Sequence, residues 1–383
     1  MLNGNRSRCA PVLLALWLCG ASVVSGAAEE SASQGAPPEE SPRPWFHIGP
    51  LRIRDLTPFG ILRLDFLPAH AVTARPGTWA FEVNLSYQNT YVLSDSAVDY
   101  LRTVGGGSRV HVGPEHVPGM LAAGDEVYYV DGELGLFDLT LHCRFSPHWG
   151  GYVTVPALIF QNGVLDGTIE SFHNTLGLDN GNRDLAVRND FFVVTKTHDG
   201  TVVITEPPKD GFADPVFGAR YSLVPAPDKW NLIFEAAVKA AFRDAKVFVS
   251  SGETDYGVQV SFQRFFRRQA LYFSGSAVQF AGVDLEGISD DDMLVPTFVG
   301  AWEFGMGKHL NGILQLYSSP SIIRNTDLEE LKAHKYLASF GVQAAWRSWF
   351  YRFALTENLE NFEQTADIAV TLSFAKAFGL PDR

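Results

Sequence analysis

The feature that most constrains the fold of this chain is a two-residue alternation of apolar and polar side chains. Its clearest instance lies in residues 230–243, where apolar side chains take every second position: Trp230, Leu232, Phe234, Ala236, Val238, Ala240 and Phe242. Four polar side chains lie on the other face: Asn231, Glu235, Lys239 and Arg243. Because a strand separates these two sets and a helix would mix them, the pattern predicts a β-strand.

The same alternation recurs in segments of about ten residues, including 79–88, 255–263, 349–356 and 367–374. About 9–11 residues are needed for a tilted strand to cross a bilayer, whereas strands of soluble proteins usually have about five or six. The strand length therefore favours membrane-crossing strands. The alternatives are a secreted β-sandwich and a lipocalin-like barrel with its apolar face inward.

The predicted connections alternate between short and long. The short turns are 146–149, 225–229, 266–269, 307–309 and 347–348, and the longer polar loops are 94–124, 161–212, 245–252, 281–292, 320–332 and 359–365. Short periplasmic turns, long extracellular loops and aromatic girdles are typical of outer-membrane barrels. We therefore predict an all-β fold, an antiparallel transmembrane β-barrel of about 12 strands over residues 78–376, with both termini in the periplasm and a C-terminal tail at 377–383.

The N-terminus predicts export. Residues 1–28 read as a cleaved signal peptide, with Arg6 and Arg8 before a short apolar run at 12–24. The alternatives are a membrane anchor, for which the run is too short, and a lipoprotein at Cys19, which lacks the small preceding residues. The chain downstream has no uninterrupted apolar run long enough for a membrane-spanning helix, which leaves a soluble exported protein or a β-barrel.

Composition excludes some classes of protein and site. Cleavage would leave Cys143 as the one cysteine, which excludes an intramolecular disulfide and a cysteine-based metal site. The net charge of −13 argues against a nucleic-acid partner. The expected partners are outer-membrane lipids, the outer-membrane assembly machinery and a small solute.

With the apolar faces outward, the polar faces would line a lumen that carries charges of both signs. The predicted lumen residues are Glu82, Asp138, His142, Arg144, Arg220, Glu235, Lys239, Arg243, Asp255, Arg264, Glu303, Lys335, Arg347, Arg352 and Asp367. Buried charges need partners. These residues therefore predict either a structural mesh of salt bridges or a polar path for a small solute.

Residues 29–77 precede the first predicted strand. Residues 29–44 have the composition of a flexible linker. Residues 45–60 are apolar, basic and interrupted by prolines, and we predict that this part folds into the lumen as a plug. The alternative is a periplasmic tail or docking segment.

The second loop predicts a short helix that begins at a capping Asp166 and ends at Gly177. Its expected apolar face consists of Leu165, Ile169, Phe172 and Leu176. This spacing suggests a lid packed across the barrel mouth. Segments at 189–197 and 201–205, joined by His198-Asp199-Gly200, predict a hairpin from the same loop.

Asp166, Glu170 and His173 could share one face of this helix, where carboxylate and imidazole groups can bind a divalent metal. Capping and surface positions explain the same residues. We therefore predict no metal and no cofactor.

The stretch from Leu165 to Arg183, together with Asp131-Gly132-Glu133 and the Pro50-Leu51-Arg52-x-Arg54-Asp55 start, resembles a family of proteobacterial outer-membrane proteins known only as a domain of unknown function. Within this stretch, we take Asp166, Glu170, His173 and Arg183 as a candidate loop motif. It implies an outer-membrane barrel and brings no established activity.

Three functions remain open at this point. The favoured one is a channel or transporter for a small polar or amphipathic solute, and the alternative is a structural or assembly protein of the outer membrane. A hydrolase is less favoured. The chain has no Gly-x-Ser-x-Gly motif, and Ser171 lies too close to His173 in sequence to form a convincing dyad. The prediction is therefore not an enzyme.

Overall fold

A computed structural model describes residues 47–57, 59–69, 77–177, 179–224, 229–244, 249–283, 292–360 and 367–378. The predicted signal peptide and the linker at 29–44 lie outside the described residues. So does residue 379 onward of the predicted C-terminal tail.

Most of the described residues are in β-strands. The strands are β1 (Thr78–Leu93), β2 (Val127–Arg144), β3 (Trp149–Gln161), β4 (Phe192–Thr197), β5 (Gly200–Ile204), β6 (Gly211–Phe212), β7 (Val216–Ser222), β8 (Trp230–Lys239), β9 (Asp255–Phe265), β10 (Gln269–Phe280), β11 (Met293–Gly305), β12 (Leu310–Ser319), β13 (Lys335–Trp346), β14 (Trp349–Glu360) and β15 (Ile368–Phe378). The α-helices are α1 (Asp95–Gly105), α2 (Val117–Ala122), α3 (Asp166–Leu176) and α4 (Glu329–Lys332). Short 3-10 helices span Gly60–Leu62, Pro114–His116 and Arg183–Leu185.

Twelve of these strands close into an antiparallel barrel. The ring runs from β1 through β2, β3 and β7 to β15 by neighbouring pairs, and β15 pairs back to β1. Trp79 lies opposite Phe378, and Asn89 lies opposite Ile368. The prediction of a 12-strand antiparallel barrel with a short helix in its second long loop is confirmed.

The last strand extends two residues past the predicted end of the barrel at 376. Ala377 and Phe378 continue the alternation, since Ala377 is buried and Phe378 is exposed on the outer face. Both pair with β1, opposite Ala80 and Trp79. Residues 377 and 378 therefore belong to β15 and not to a tail.

Alternation along each strand gives the barrel an apolar outer face and a polar inner face. In β9, Tyr256 and Val258 are 61% and 58% exposed, whereas their neighbours Asp255 and Gln259 are buried. A closed ring of strands bonds every backbone ladder internally, as a bilayer requires. Within the described residues, no helix is both long enough and apolar enough to span a membrane.

The two ends of the barrel differ, and we name them by their connections. The turn end carries the short connections β2–β3, β7–β8, β9–β10, β11–β12 and β13–β14, and the loop end carries the long ones. Every tryptophan among the described residues is exposed near the turn end: Trp79, Trp149, Trp230, Trp302, Trp346 and Trp349. This girdle indicates a membrane interface at that end.

The wall is tallest at β1 and β2, which contain 16 and 18 residues. The loop-end part of β2 pairs with β4, and β5 pairs with β4, so the predicted hairpin extends the sheet. Helices α1 and α2 cover one face of this extension with a core that includes Leu101, Met120 and Tyr129. Ser94 caps α1, and Gly106 ends it with a φ of 54°.

Candidate functional site

Part of the N-terminal region fills the barrel. We call residues 47–57 and 59–69 the lumen segment. Nε2 of His47 lies 3.1 Å from the carbonyl oxygen of Phe266 at the turn end, and the backbone N–H of Leu64 donates to Asp255 at the loop end over 2.7 Å. Ala69 has returned toward the turn end, where its carbonyl accepts from Gln263. The segment therefore rises through the lumen and descends again.

Contacts between the rising and descending arms hold this shape. Arg52 donates to the carbonyl of Pro68 over 2.8 Å, and the backbone N–H of Asp55 donates to Asp65 over 2.8 Å. Near the bend, a Cβ on Gly60 would lie 2.2 Å from a carboxylate oxygen of Asp55. Only glycine fits there without a shift of the Asp55 side chain.

Three buried ion pairs join the lumen segment to the wall. Arg52 approaches Glu82 of β1 to 3.2 Å, and Arg54 approaches Asp138 of β2 to 2.9 Å. Asp55 accepts from Lys335 of β13 over 2.7 Å. The charges on the segment thus meet opposite charges on the neighbouring strands β1 and β2 and on β13.

Wall side chains also satisfy the backbone of the lumen segment. The N–H groups of Ile48 and Gly49 donate to Glu303 over 2.8 and 3.2 Å. Leu51 donates to Gln315 over 2.9 Å, and Gln343 donates to the carbonyl of Gly49 over 2.8 Å. Buried backbone groups need such partners because the segment has no strand beside it.

Apolar contacts occupy the spaces between these polar ones. Leu51 and Ile53 pack with the wall residues Phe265, Tyr272 and Ile313. On the descending arm, Leu64 and Phe66 pack with Val216, Ala237 and Val278. The wall therefore binds the segment by both kinds of contact.

The wall carries further ion pairs of its own. Arg220 on β7 approaches Glu235 on β8 to 2.7 Å, Lys239 approaches Asp255 to 2.9 Å, and Arg352 approaches Glu82 to 3.0 Å. These pairs link different strands without help from the lumen segment. They form part of the salt-bridge mesh that the sequence predicted as one alternative.

Most predicted lumen residues lie on the inner face of the wall. Glu82, Asp138, Arg144, Glu235, Lys239, Asp255, Glu303, Lys335 and Arg352 are buried, and His142 and Arg220 are partly buried. Arg144 lies at the turn end, where it donates to the carbonyl of Pro147.

Four predictions of lumen residues do not fit the structure. Arg243 is exposed because β8 ends at Lys239, so the alternation stops before it. Arg264 is exposed on the same face as Val260 and Phe262. Arg347 is exposed in the β13–β14 turn with a φ of 54°. Asp367 precedes β15 and pairs with Arg183.

Two small voids lie between described residues of the lumen segment and the wall. One void of about 20 Å³ lies beside Asp55, Lys335 and Gln88, and another of about 10 Å³ lies beside Arg54, Arg63 and Pro156. A site of about 10–15 Å³ or more holds one water molecule. These voids are therefore too small for an organic solute.

The loop motif forms a second polar cluster, which we call the outer-wall cluster: Asn89, Glu133, Asp166, Arg183 and Asp367. Arg183 donates to Asp166 over 2.5 Å and also to Asp367 and Asn89. Asn89 in turn donates to Glu133 over 3.1 Å and to Asp166 over 2.9 Å. The cluster joins α3 to β1, β2 and the start of β15.

This cluster lies on the outer side of the wall. Asn89 and Glu133 have the same strand parity as the outward-facing Phe81 and Leu141, which are 42% and 44% exposed. The backbone N–H at the start of α3, that of Leu165, donates to Glu133 over 2.6 Å. Helix α3 therefore braces the outside of the wall, and the prediction of a lid across the mouth is wrong.

The predicted cap and apolar face of α3 are wrong as well. The N-cap is Leu165, and the Asp166 carboxylate bonds Arg183 and the N–H of Asn189 without capping the helix. Ile169 is buried, but Phe172 is 42% exposed. The buried face instead carries Asp166, Glu170 and His173, which the sequence placed on one face but interpreted as surface residues.

Glu170 lies between two arginines. Arg109 donates to both of its carboxylate oxygens over 3.0 Å, and Arg188 donates over 2.5 Å. Burial alone would raise the pKa of Glu170, but the bonds from Arg188 and Arg109 outweigh it and hold that pKa below its ordinary value. Asp166 and Glu170 are thus each paired with arginine, which leaves little reason for a metal between them.

Among the described residues, one group brings three potential metal ligands together: Glu126, His198 and Asp327. Glu126 already accepts from the N–H groups of His198 and Asp327 and from the hydroxyl of Thr326. The group joins the β4–β5 turn to the loop before α4. The sequence did not single it out, because its members lie far apart along the chain.

The closed ring of strands, the apolar outer face and the aromatic girdle together define a transmembrane β-barrel. Residues 119–378 match the family described as "Protein of unknown function (DUF3187)", and the chain belongs to that family. No curated protein sequence matches it.

Three solved structures similar to this chain are an outer membrane channel, a porin and a toluene transporter. An outer membrane channel from Pseudomonas putida F1 has a TM-score of 0.49 and 10% identity, covering 82% of this chain and 100% of the channel. The NanC porin has a TM-score of 0.39 and 10% identity, covering 78% and 100%. The P. putida toluene transporter TodX has a TM-score of 0.37 and 10% identity, covering 80% and 91%.

Proposed function

We propose that this protein is an outer-membrane channel for a small polar or amphipathic solute, and that its own lumen segment closes it. In this proposal residues 1–28 direct export and are removed, and the turn end faces the periplasm. Passage of solute then requires that the lumen segment leave its position, because the voids beside it hold about one water molecule.

The observation that supports the proposal is the charged inner face of the wall, which the lumen segment covers. The wall residues that hold it include Glu82, Asp138 and Lys335, all charged and inward-facing. A wall that bore only apolar side chains would be costly to hydrate, whereas these charges regain water when the segment leaves. The barrel therefore has a lining suited to a hydrated path.

A structural role is the second candidate. The wall pairs Arg220–Glu235 and Lys239–Asp255 link strands without the lumen segment, and such pairs suit a permanently sealed barrel. A structural barrel predicts that releasing the segment produces no solute-dependent conductance. The expectation that the protein is not an enzyme stays a prediction.

Covalent locking of the lumen segment tests the proposal. Cysteines replace Phe66 and Gly257, because a Cβ at Gly257 would lie 2.6 Å from the Phe66 ring. Cys143→Ser removes the remaining thiol of the expected mature chain. Ion conductance of the purified protein in planar bilayers is measured before and after a short bis-thiol cross-linker is added. We expect channel openings before cross-linking and their loss afterward.

Two further variants complete the test. Phe66→Cys alone with the same cross-linker should keep its openings. Deletion of residues 47–69 should give larger and more frequent openings. If neither the double-cysteine protein before cross-linking nor the deletion variant conducts ions, the protein is not a channel. If the protein conducts equally before and after cross-linking, the lumen segment does not close the path.

A further inference from the structure

Among the described residues, the exposed charged side chains of the turn end are all basic. The basic residues of this end, which we call the turn-end rim, are Lys229, Arg264, Arg267, Arg268, Lys308, Arg347 and Lys376. All are exposed except Lys376, which is half-buried. They come from four of the five short turns or the strand ends beside them, and from the end of β15. The rim therefore extends around much of the barrel.

Acidic side chains are absent from the outer surface of this end in the described residues. Across 77–83, 142–152, 219–224, 229–233, 262–272, 301–312, 343–352 and 373–378, the acidic residues are Glu82 and Glu303, and both are buried in the lumen. The loop end differs, since exposed Asp99 and Glu115 occur there with exposed Arg102 and Arg324. The basic character is thus a property of one end.

The rim lies at the level of the aromatic girdle. The Arg264 guanidinium lies 5.7 Å from the ring centroid of Phe266. The Lys376 ammonium lies 4.9 Å from that of Trp349 and 5.3 Å from that of Phe378. Because aromatic side chains of such girdles sit among lipid headgroups, these cations lie at headgroup depth.

We infer that the turn-end rim binds the anionic phosphate headgroups of phospholipids in the leaflet it faces. Basic residues beside a membrane attract anionic lipid, and each contributes favourably near the surface. Arginine also forms paired hydrogen bonds with a phosphate. The inference rests on the barrel spanning a membrane and not on whether its lumen conducts.

Tryptophan fluorescence provides a measurement restricted to this end. The six described tryptophans all lie at the turn end, and Trp17 and Trp45, outside the described residues, are replaced by Phe. The protein is inserted into vesicles that mix phosphatidylcholine with brominated phosphatidylglycerol, and the bromine quenches tryptophans it contacts. The reciprocal mixture, with bromine on phosphatidylcholine, gives the relative association of the two lipids.

Two variants that each lose four positive charges distinguish the effect of the turn-end rim on lipid preference from the effect of net charge. The rim variant carries Lys229→Gln, Arg264→Gln, Arg267→Gln and Lys308→Gln. The control variant carries substitutions at exposed residues outside the turn end: Arg102→Gln, Lys209→Gln, Arg243→Gln and Arg324→Gln. Both should remain folded, because the substituted side chains are exposed.

We expect the parent protein to prefer phosphatidylglycerol about fivefold, the order of magnitude for one basic group near a surface. The control should keep this preference, and the rim variant, which retains Arg268, Arg347 and Lys376, should lose most of it. High salt should weaken the preference of the parent. The inference fails if the parent shows no preference, or if both variants lose it equally.

Discussion

At the scale of single residues, Arg183 is a buried arginine outside the lumen whose side chain has three acceptors. This residue is 3% exposed, and its guanidinium bonds Asp166 of α3, Asp367 just before β15, and Asn89 of β1. The planar guanidinium of an arginine presents five N–H donors in a fixed geometry and can serve several acceptors at once. One side chain thus connects three elements on the outer side of the wall.

Substitution of Arg183 should strongly destabilise the protein. Arg183→Met leaves Asp166 and Asp367 buried without their cation, and breaking a buried pair in this way costs about 3–5 kcal/mol. Urea unfolding of the protein in lipid vesicles measures the change in the free energy of unfolding. Arg102→Met, at an exposed arginine on α1, is the matched control. A loss below about 1 kcal/mol, no larger than that of an exposed pair, would contradict the role of Arg183.

The sequence identified the members of this cluster but not its geometry. Local spacing placed Asp166, Glu170 and His173 on one helix face, and the structure has them there. Buried Glu170 pairs with Arg109 and Arg188, and buried Asp166 pairs with Arg183, and no helical period reveals these partners. For Arg243, the sequence pattern was misleading. The alternation of apolar and polar residues continues past Lys239, but β8 ends there because its pairing with β7 and β9 ends there.

At the scale of elements, the sequence indicated that an apolar, basic segment precedes the barrel. It could not indicate the path that this segment takes through the lumen. Its partners lie far along the chain; Ile48 and Glu303, for example, are 255 positions apart. No local pattern specifies such a pairing. The hairpin β4–β5 was predictable because its turn and both strands are adjacent in sequence.

Gly257 of β9 should determine how tightly the wall binds the lumen segment. A side chain at Gly257 would displace the Phe66 ring, and such overpacking costs about 1–3 kcal/mol. The segment contains Arg52, Arg54 and Arg63, which are all buried and so protected from trypsin. Gly257→Leu should therefore raise the rate of tryptic cleavage in the segment about tenfold or more, because cleavage follows the population of the released form.

The matched control is Gly275→Leu on the neighbouring strand β10. A Cβ there would meet only the Phe298 ring, at 3.6 Å, which is an ordinary contact. Its cleavage rate should stay near that of the parent protein. Equal rates for the two variants would show that Phe66 does not anchor the segment.

At the scale of the whole molecule, the strand number and the alternation of turns and loops followed from sequence because both are local. The extra height of β1 and β2 did not, because it depends on packing of α1 and α2 against Tyr91, Tyr129 and their neighbours. A closed ring needs strands that match one another. The part of β1 and β2 that extends beyond the ring needs a hydrophobic core of its own, which α1 and α2 help to form.

The barrel should survive without its lumen segment. The wall pairs Arg352–Glu82, Arg220–Glu235 and Lys239–Asp255 remain after deletion of residues 47–69, and water can reach the charges that lose partners. We expect β-rich circular dichroism and the faster migration of an unheated barrel in SDS gels, with a lower urea midpoint. A deletion variant that migrates alike before and after heating would show that the segment is needed for the fold.

The rise and return of the lumen segment has a mechanical consequence. Because both of its arms end at the turn end, a pull on the chain ahead of His47 loads the contacts of Ile48 first, then those of Leu51, then those of Arg52. Contacts that fail one after another, as in a zipper, yield to a weak force acting over a long distance. A strand threaded straight through would resist with all its contacts at once. The released chain would stay tethered to β1 through residue 77 and could return.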